Sequence, residues 1–194
     1  GGNPLLLLET LRAQWLSGTW SGPKLPRTDR VGSLLESTVR RLKPHARRLA
    51  AWLALSGGRY DSAVASRVLA RGDAGVVSDW AELAAEGIVR GFGFTHDLYR
   101  DTVLALTPEP EAAALHAAIA RHIPESADPP AAHVAASHLV QAHLHAQAGS
   151  RYKDLALAFR AQRRHDDESL CWQSALGCFR AADPDGDALL GAEA

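Results

Sequence analysis

The chain has 194 residues, of which 46% are hydrophobic and 22% charged, and its formal net charge is −1. This balance is typical of globular proteins and creates no overall electrostatic attraction to nucleic acid or to an anionic membrane. Because the sequence contains no methionine, we expect a fragment of a longer protein, a processed product or a trimmed chain. Alanine, leucine and arginine dominate, and this mixture favours helices over strands.

Signals for export, membrane insertion and disulfide formation are weak. The apolar run Leu5–Leu8 is too short for the core of a signal peptide, and no run approaches the roughly 20 apolar residues of a membrane span. Cys171 and Cys178 lie on one predicted helix, about 10 Å apart along its axis, which is beyond the reach of a disulfide. We therefore expect reduced thiols and a cytoplasmic protein that does not contact a membrane.

A helix is predicted at the start of the chain. Asn3 can cap a helix whose first residue is Pro4, where a missing N–H has no consequence. Residues 17–28 then form a loop rich in glycine and proline. The apolar side chains on one face of the predicted helix are Leu5, Leu8, Leu11 and Trp15.

Further helices and a hairpin are predicted before residue 108. The periodicity changes after Gly87, a suitable helix C-cap, so that Ile88–Arg90 and Phe92–Thr95 are expected to be strands. Helix returns at His96. Helices followed by a small hairpin are the order of a winged-helix domain, which we assign to residues 30–107. The helices predicted before the hairpin are Asp29–Leu42, Pro44–Leu55, a short helix that is capped by Asp61 and runs through Leu69, and Val77–Ala85.

Residues 108–194 are predicted to be helical throughout. The expected helices are Glu109–His122, Pro130–Gln147, Arg151–Arg164 and Glu168–Ala182. Residues at offsets resembling a tetratricopeptide repeat are Tyr152, Leu155, Ala156, Phe159, Trp172 and Ala175. Glu168 stands where the repeat has a small residue, and Arg180 stands where it has a proline. Since one repeat cannot bury its own face, we expect this region to be truncated.

No motif for catalysis is present. The sequence has no Gly-Lys pair, which excludes a P-loop, and no G-x-S-x-G, C-x-x-C or H-E-x-x-H. The clustered histidines His133, His138, His143 and His145 have irregular spacing and no acid nearby, so a helix surface is expected rather than a metal site. We expect no enzymatic activity from this chain alone.

Winged helices often bind DNA through their third helix, which here is the helix predicted just before the hairpin. The charges of this helix argue against DNA binding. The stretch "VVSDWAELAAEG" carries Asp79, Glu82 and Glu86 but no Lys or Arg, whereas phosphate contact requires positive charge. We therefore expect no direct contact with nucleic acid. A basic cluster on the earlier helices is expected to be a solvated face, and consists of Arg40, Arg41, Lys43, Arg47 and Arg48.

The stretch "THDLYRD" lies where strand becomes helix. Asp97 is placed either to cap this helix or to complement its N-terminal dipole. His96 would then point outward and could donate a hydrogen bond to an anion. The alternative is that the stretch is only a local helix cap.

Two segments together resemble the signal-transducing ATPases of the STAND class, in particular large ATP-binding bacterial regulators of the LuxR type. They are "GGNPLLLLETLR" and, about ninety residues later, "FGFTHDLYRDTVL". The resemblance implies that residues 1–29 end the helical lid of a nucleotide-binding domain, followed by a winged helix and helical repeats. It matches Gly2 and Pro4, with Asn3 between them, to a nucleotide-binding G-x-P motif of the family, whose proline packs beside the adenine of ATP or ADP. It also makes His96 the reader of the nucleotide phosphate and Asp97 the acid that fixes its geometry, with Thr95 replacing the usual methionine.

Three functions remain open at this stage. The first is a nucleotide-sensing relay module whose partner is an upstream nucleotide-binding domain, with ATP or ADP bound in the intact protein but not in the isolated fragment. The second is a helical adaptor that binds a protein or another effector on its repeats. The third is a DNA-binding winged-helix regulator, against which the acidic third helix counts.

Overall fold

The computed structural model of the protein describes residues 29–57, 60–124 and 128–184. These residues form a mainly helical structure with a small two-stranded antiparallel sheet, which confirms the predicted fold class at that level. The chain divides into two compact units, with the boundary between Pro108 and Glu109. The helix predicted from Asn3 lies outside the described residues.

The first unit contains five described helices and the hairpin. In chain order they are α1 (Asp29–Arg41), α2 (Pro44–Leu55), α3 (Ser62–Val68), α4 (Asp73–Ala85), β1 (Val89–Arg90), β2 (Gly93–Phe94) and α5 (Asp97–Leu106). The hairpin pairs Val89 with Phe94 and Arg90 with Gly93. Asp61 caps α3 as predicted, because its carboxylate accepts a hydrogen bond from the Val64 N–H at 3.0 Å.

Helix α2 is the central element of the first unit. It begins at Pro44, where the fixed φ of proline suits a first helical position. It packs against both α4 and α5, while α1 also packs on α5. The largest fully buried side chains on α2, α4 and α5 are Leu49, Trp52 and Leu53 of α2, Val76 and Leu83 of α4, and Tyr99 and Val103 of α5.

The second unit is a series of helices in which each packs on the next along the chain. They are α6 (Glu109–His122), α7 (Pro129–Gln141), α8 (His145–Ala161) and α9 (His165–Ala182). The six positions predicted from the repeat-like pattern do pack together: five are buried in one apolar cluster and Trp172 packs against it. Cys171 and Cys178 are free thiols buried in the same cluster.

The predicted end of α7 and the predicted start of α8 are both wrong. The helix predicted to run to Gln147 ends at Gln141, and the next begins at His145 instead of Arg151. The reason is a left-handed backbone at His143, where φ is 58°. The N–H groups of His143 and Leu144 donate to the carbonyls of Val140 and Leu139, respectively, at 3.0 and 2.9 Å. This pair of bonds is the Schellman motif, which ends a helix.

The same turn ends α8. Arg163 also has a φ of 58°, and the N–H of Arg164 donates to the Phe159 carbonyl at 3.0 Å. Helix α8 therefore ends at Ala161, and α9 begins at His165, three residues before the predicted start. Neither turn contains glycine, the residue that usually marks such an ending, so the sequence pattern did not reveal them.

Candidate functional site

The junction between β2 and α5 is anchored by Thr95. Its N–H donates to the Ile88 carbonyl at 2.9 Å. Its hydroxyl lies 2.7 Å from the Gly87 carbonyl and 3.1 Å from that of Ile88. Thr95 thus ties the end of the hairpin back to its beginning, and the start of α5 is held at a defined place on the first unit.

His96 is the N-cap of α5. Its backbone is extended, with φ −155° and ψ 145°, and its Nδ1 accepts a hydrogen bond from the Leu98 N–H at 3.2 Å. A neutral imidazole that accepts at Nδ1 carries its proton on Nε2. The half-buried His96 ring therefore has a donor, Nε2–H, that the cap does not use.

Asp97 is the first residue of α5 rather than its cap. Of the two alternatives expected for its carboxylate, the cap is excluded, because the imidazole of His96 occupies that role. Asp97 is exposed and lies in the first turn, where a negative charge complements the helix dipole. The hydrogen bond that orients the His96 ring comes from the backbone of Leu98.

The structure places the two central members of the predicted site, His96 and Asp97, side by side at the N-terminus of a 10-residue helix. The backbone N–H groups at such a terminus favour anions. The other predicted members, Gly2, Asn3 and Pro4, lie outside the described residues.

The acidic residues of α4 do not form the outward-facing negative surface that the sequence suggested. Asp79 is 4% exposed, and its carboxylate binds the Arg71 guanidinium within the first unit. The Glu82 carboxylate accepts a hydrogen bond from the backbone N–H of Lys43 at 2.7 Å, and it lies 3.3 Å from the Nζ of the same lysine. The described exposed side chains of α4 are instead mostly small and uncharged, and include Ala74, Val77, Ser78 and Ala81.

The clustered histidines are not one helix surface. His138 is only 9% exposed, so its prediction as a surface residue is wrong. Its Nδ1 lies 2.7 Å from the Nδ1 of His116. His133 contacts the Tyr152 ring edge-on, and His143 lies 2.8 Å from the Glu109 carboxylate. Among the described residues, no group of three or more His, Cys, Asp or Glu is arranged to hold a metal ion.

Glu168, which departs from the repeat pattern, is held between α8 and α9. The Arg160 Nε donates to its Oε1 at 2.6 Å, and only 12% of the Glu168 side chain is exposed. The hydrogen bond from Arg160 is the main reason that the pKa of Glu168 lies below its usual value. The Arg160 guanidinium also lies 5.9 Å from the centre of the Trp172 ring. A large acid is therefore accommodated where the repeat has a small residue.

The second unit also contains an open groove of about 440 Å³, which the sequence did not predict. Its apolar lining comes from the end of α6 and from α7, and its polar lining comes mainly from α8. The lining residues are Ala120, Arg121, Ile123, Pro124, Leu139, Gln147, Ser150, Arg151 and Asp154. A groove with a mixed lining of this size could hold a peptide side chain or a small ligand.

No helix in the described part of the chain is both long enough and apolar enough to cross a bilayer. The chain matches no protein-family model, no curated protein and no solved structure.

Proposed function

We propose that this chain is the nucleotide-sensing and signal-relay module of a STAND-type ATPase regulator. The observation that carries the proposal is the state of His96. Its Nδ1 is used as the cap of α5, so its Nε2–H, which the cap does not use, can donate to a phosphate oxygen. The positive end of the α5 dipole would strengthen such a contact.

The relay would follow from the way α5 is mounted. This helix packs on α1, on α2 and on β2, and its first turn is fixed by Thr95 and His96. A phosphate bound to His96 would therefore favour one position of α5 relative to the core of the first unit. Ligand binding can shift a module of this kind only if it favours one of its two arrangements.

The rest of the proposal comes from the resemblance. Residues 30–107 would be the winged helix, consistent with the order of α2, α3, α4 and the hairpin. Residues 108–194 would be TPR-like repeats that pass the signal on. Gly2, Asn3 and Pro4 would belong to the nucleotide site formed with an upstream nucleotide-binding domain, where Pro4 would pack beside the adenine of ATP or ADP. The intact protein would act in the cytoplasm, and this module would have no enzymatic activity alone.

The proposal is tested in the intact reading frame with His96→Asn. Asparagine is itself a good N-cap, so this variant keeps the helix start but removes the imidazole. Loss of one hydrogen bond to a charged group weakens binding by about 1.5–3 kcal/mol, or roughly 10- to 150-fold. We expect ADP retained through purification, measured by chromatography of the denatured protein, to fall accordingly.

The matched control is His45→Asn, at an exposed histidine on α2 of the same unit. This variant should retain as much ADP as the unmodified protein. If His96→Asn and His45→Asn retain equal amounts of ADP, His96 does not read the phosphate and the proposed role is wrong.

A second candidate function is a helical adaptor, and the groove of the second unit favours it. Ser150→Trp would place a bulky ring at the groove lining, whereas Ser169→Trp alters an exposed position of α9 outside it. An adaptor that uses this groove should lose its partner in a pulldown with Ser150→Trp and keep it with Ser169→Trp. Equal capture by both variants would exclude the groove. The DNA-binding alternative is weaker, because α4 contributes no Lys or Arg.

A further inference from the structure

His116 of α6 and His138 of α7 form a direct contact between two imidazole rings. Their Nδ1 atoms are 2.7 Å apart, and the ring centroids are separated by 4.9 Å. Two ring nitrogens this close must have a proton between them, because one has to donate and the other accept. The contact joins residues 22 positions apart in sequence, and so links two helices rather than two turns of one helix.

We propose that this histidine pair is an acid-sensitive latch that holds α6 on α7. With both rings neutral, one Nδ1–H donates to the other Nδ1. With one added proton at an outward Nε2, the same bond persists as a charge-assisted hydrogen bond. A second proton has to occupy the accepting Nδ1, which leaves two donors and two positive charges face to face. The latch then opens.

The arrangement of α6 makes such an opening local. In the described residues, α6 packs on α7, whereas α8 packs on both α7 and α9. The apolar cluster around Tyr152 and Phe159 takes most of its members from α7, α8 and α9, and only Ala120 from α6. Separation of α6 from α7 would therefore expose part of the second unit while the α8–α9 pair stays together.

Other charged groups on or next to α6 and α7 either interact weakly or have partners other than His116 and His138. Glu109 of α6 and His143, in the turn after α7, lie 2.8 Å apart, but both side chains are mostly exposed, so the contact is screened. Arg121 of α6 donates to its own helix at the Ala117 carbonyl, and Asp128 caps α7. On the α8 side, Tyr152 contacts His133 of α7, and burial raises the pKa of its phenol. Tyr152 therefore stays neutral in acid.

The direction of the pH effect follows from burial. Burial, and then the field of His116, lower the pKa of His138 from 6.5 to about 4, and burial also lowers the pKa of His116. A histidine with a lowered pKa stabilises the closed state fully above about pH 6.5, and this stability is lost as the pH falls toward about 4. Between pH 7 and pH 5, the His138 shift alone favours the open state by about 20-fold.

Hydrogen exchange of the full chain, read by mass spectrometry at pH 7 and pH 5 and corrected for intrinsic exchange rates, tests the latch. We expect α6 amides to lose protection by about 20-fold at pH 5, while α9 amides change much less. The double variant His116→Asn/His138→Asn can form an amide–amide hydrogen bond that does not titrate, so its α6 protection should barely change. His122→Asn, at an exposed histidine of α6, should behave like the unmodified chain.

Three results would overturn the proposal. The first is equal loss of protection in α6 and α9, which would indicate general acid destabilisation. The second is the same pH response in the double variant. The third is protonation of His138 near the ordinary histidine pKa, which would exclude the latch. It can be measured without any variant, from ¹⁵N spectra of the histidine rings in the unmodified chain.

Discussion

Arg71 holds Asp79 by two hydrogen bonds, from Nε to Oδ2 at 2.5 Å and from Nη2 to Oδ1 at 3.2 Å. Arg71 follows the left-handed turn at Ala70 that ends α3, and Asp79 is in the middle of α4. The pair therefore links the α3–α4 connection to the helix that follows it. Only 6% of the Asp79 side chain is exposed, against 31% for Arg71, so it is the carboxylate that is largely removed from solvent.

Removal of Arg71 alone should destabilise the first unit strongly. Arg71→Met leaves the buried carboxylate of Asp79 without its partner, which typically costs about 3–5 kcal/mol of unfolding free energy. Urea denaturation would measure this loss. The double variant Arg71→Met/Asp79→Leu should recover much of it, because no buried charge remains, and Arg67→Met, at an exposed position of α3, should have little effect. A double variant no more stable than Arg71→Met would contradict this account.

Glycine at position 163 should stabilise the second unit. Arg163 has a φ of 58°, a conformation that costs a residue with a Cβ about 1–2 kcal/mol. Glycine adopts it freely but loses more entropy on folding, so we expect a net gain of about 0.5–1 kcal/mol for Arg163→Gly. The preceding residue has an ordinary φ of −88°, so Gln162→Gly should be neutral or destabilising. A loss of stability in Arg163→Gly, measured by urea midpoint, would show that the arginine side chain matters more than the turn.

Gly149 is required by the packing of α8 on α9. A Cβ at this position would lie 2.8 Å from the Cε1 of Phe179, whereas a Cβ at Gly177 would have no neighbour within 4 Å. Both glycines are helical, so alanine should gain about 1 kcal/mol of helix propensity at each. We expect Gly177→Ala to raise the thermal midpoint. Gly149→Ala should lower it, because overpacking costs about 1–3 kcal/mol. Equal effects of the two variants would mean that Phe179 moves aside without a cost.

Glu168 should give the second unit a component of stability that is lost in acid. Because the hydrogen bond from Arg160 lowers its pKa, its contribution is present above the unfolded-state pKa and lost as the pH falls through the folded-state value. Glu168→Gln should therefore be less stable than the unmodified chain at pH 7, and this difference should shrink as the pH falls through the folded-state pKa of Glu168. Arg160→Met should cause a similar loss at pH 7.

A double-mutant cycle provides the control for this prediction. If Arg160 and Glu168 stabilise the protein through each other, the combined variant should be little worse than either single variant at pH 7. Strictly additive losses would show that Arg160 acts instead through its position over Trp172, and the pH argument for Glu168 would then fail.

Local signals in the sequence predicted much of the helical framework. Pro44–Leu55 and Glu109–His122 have the bounds expected from their periodicity, and Asp61 caps α3 as expected. These features depend on interactions within a few residues, such as a proline at the first helical position or a carboxylate that reaches a nearby N–H. Helical spacing also singled out six positions of the repeat-like pattern, and five of them lie in the apolar cluster of the second unit.

The tertiary structure alone decided which polar residues meet. Nothing in their spacing shows that His116 contacts His138, that Asp79 is buried against Arg71, or that Glu168 faces Arg160. The turns at His143 and Arg163 were equally hidden, because neither has the glycine that such a φ favours. Periodicity reports which face of a helix is apolar, but a polar contact depends on how neighbouring helices are placed and on the solvent that their packing removes.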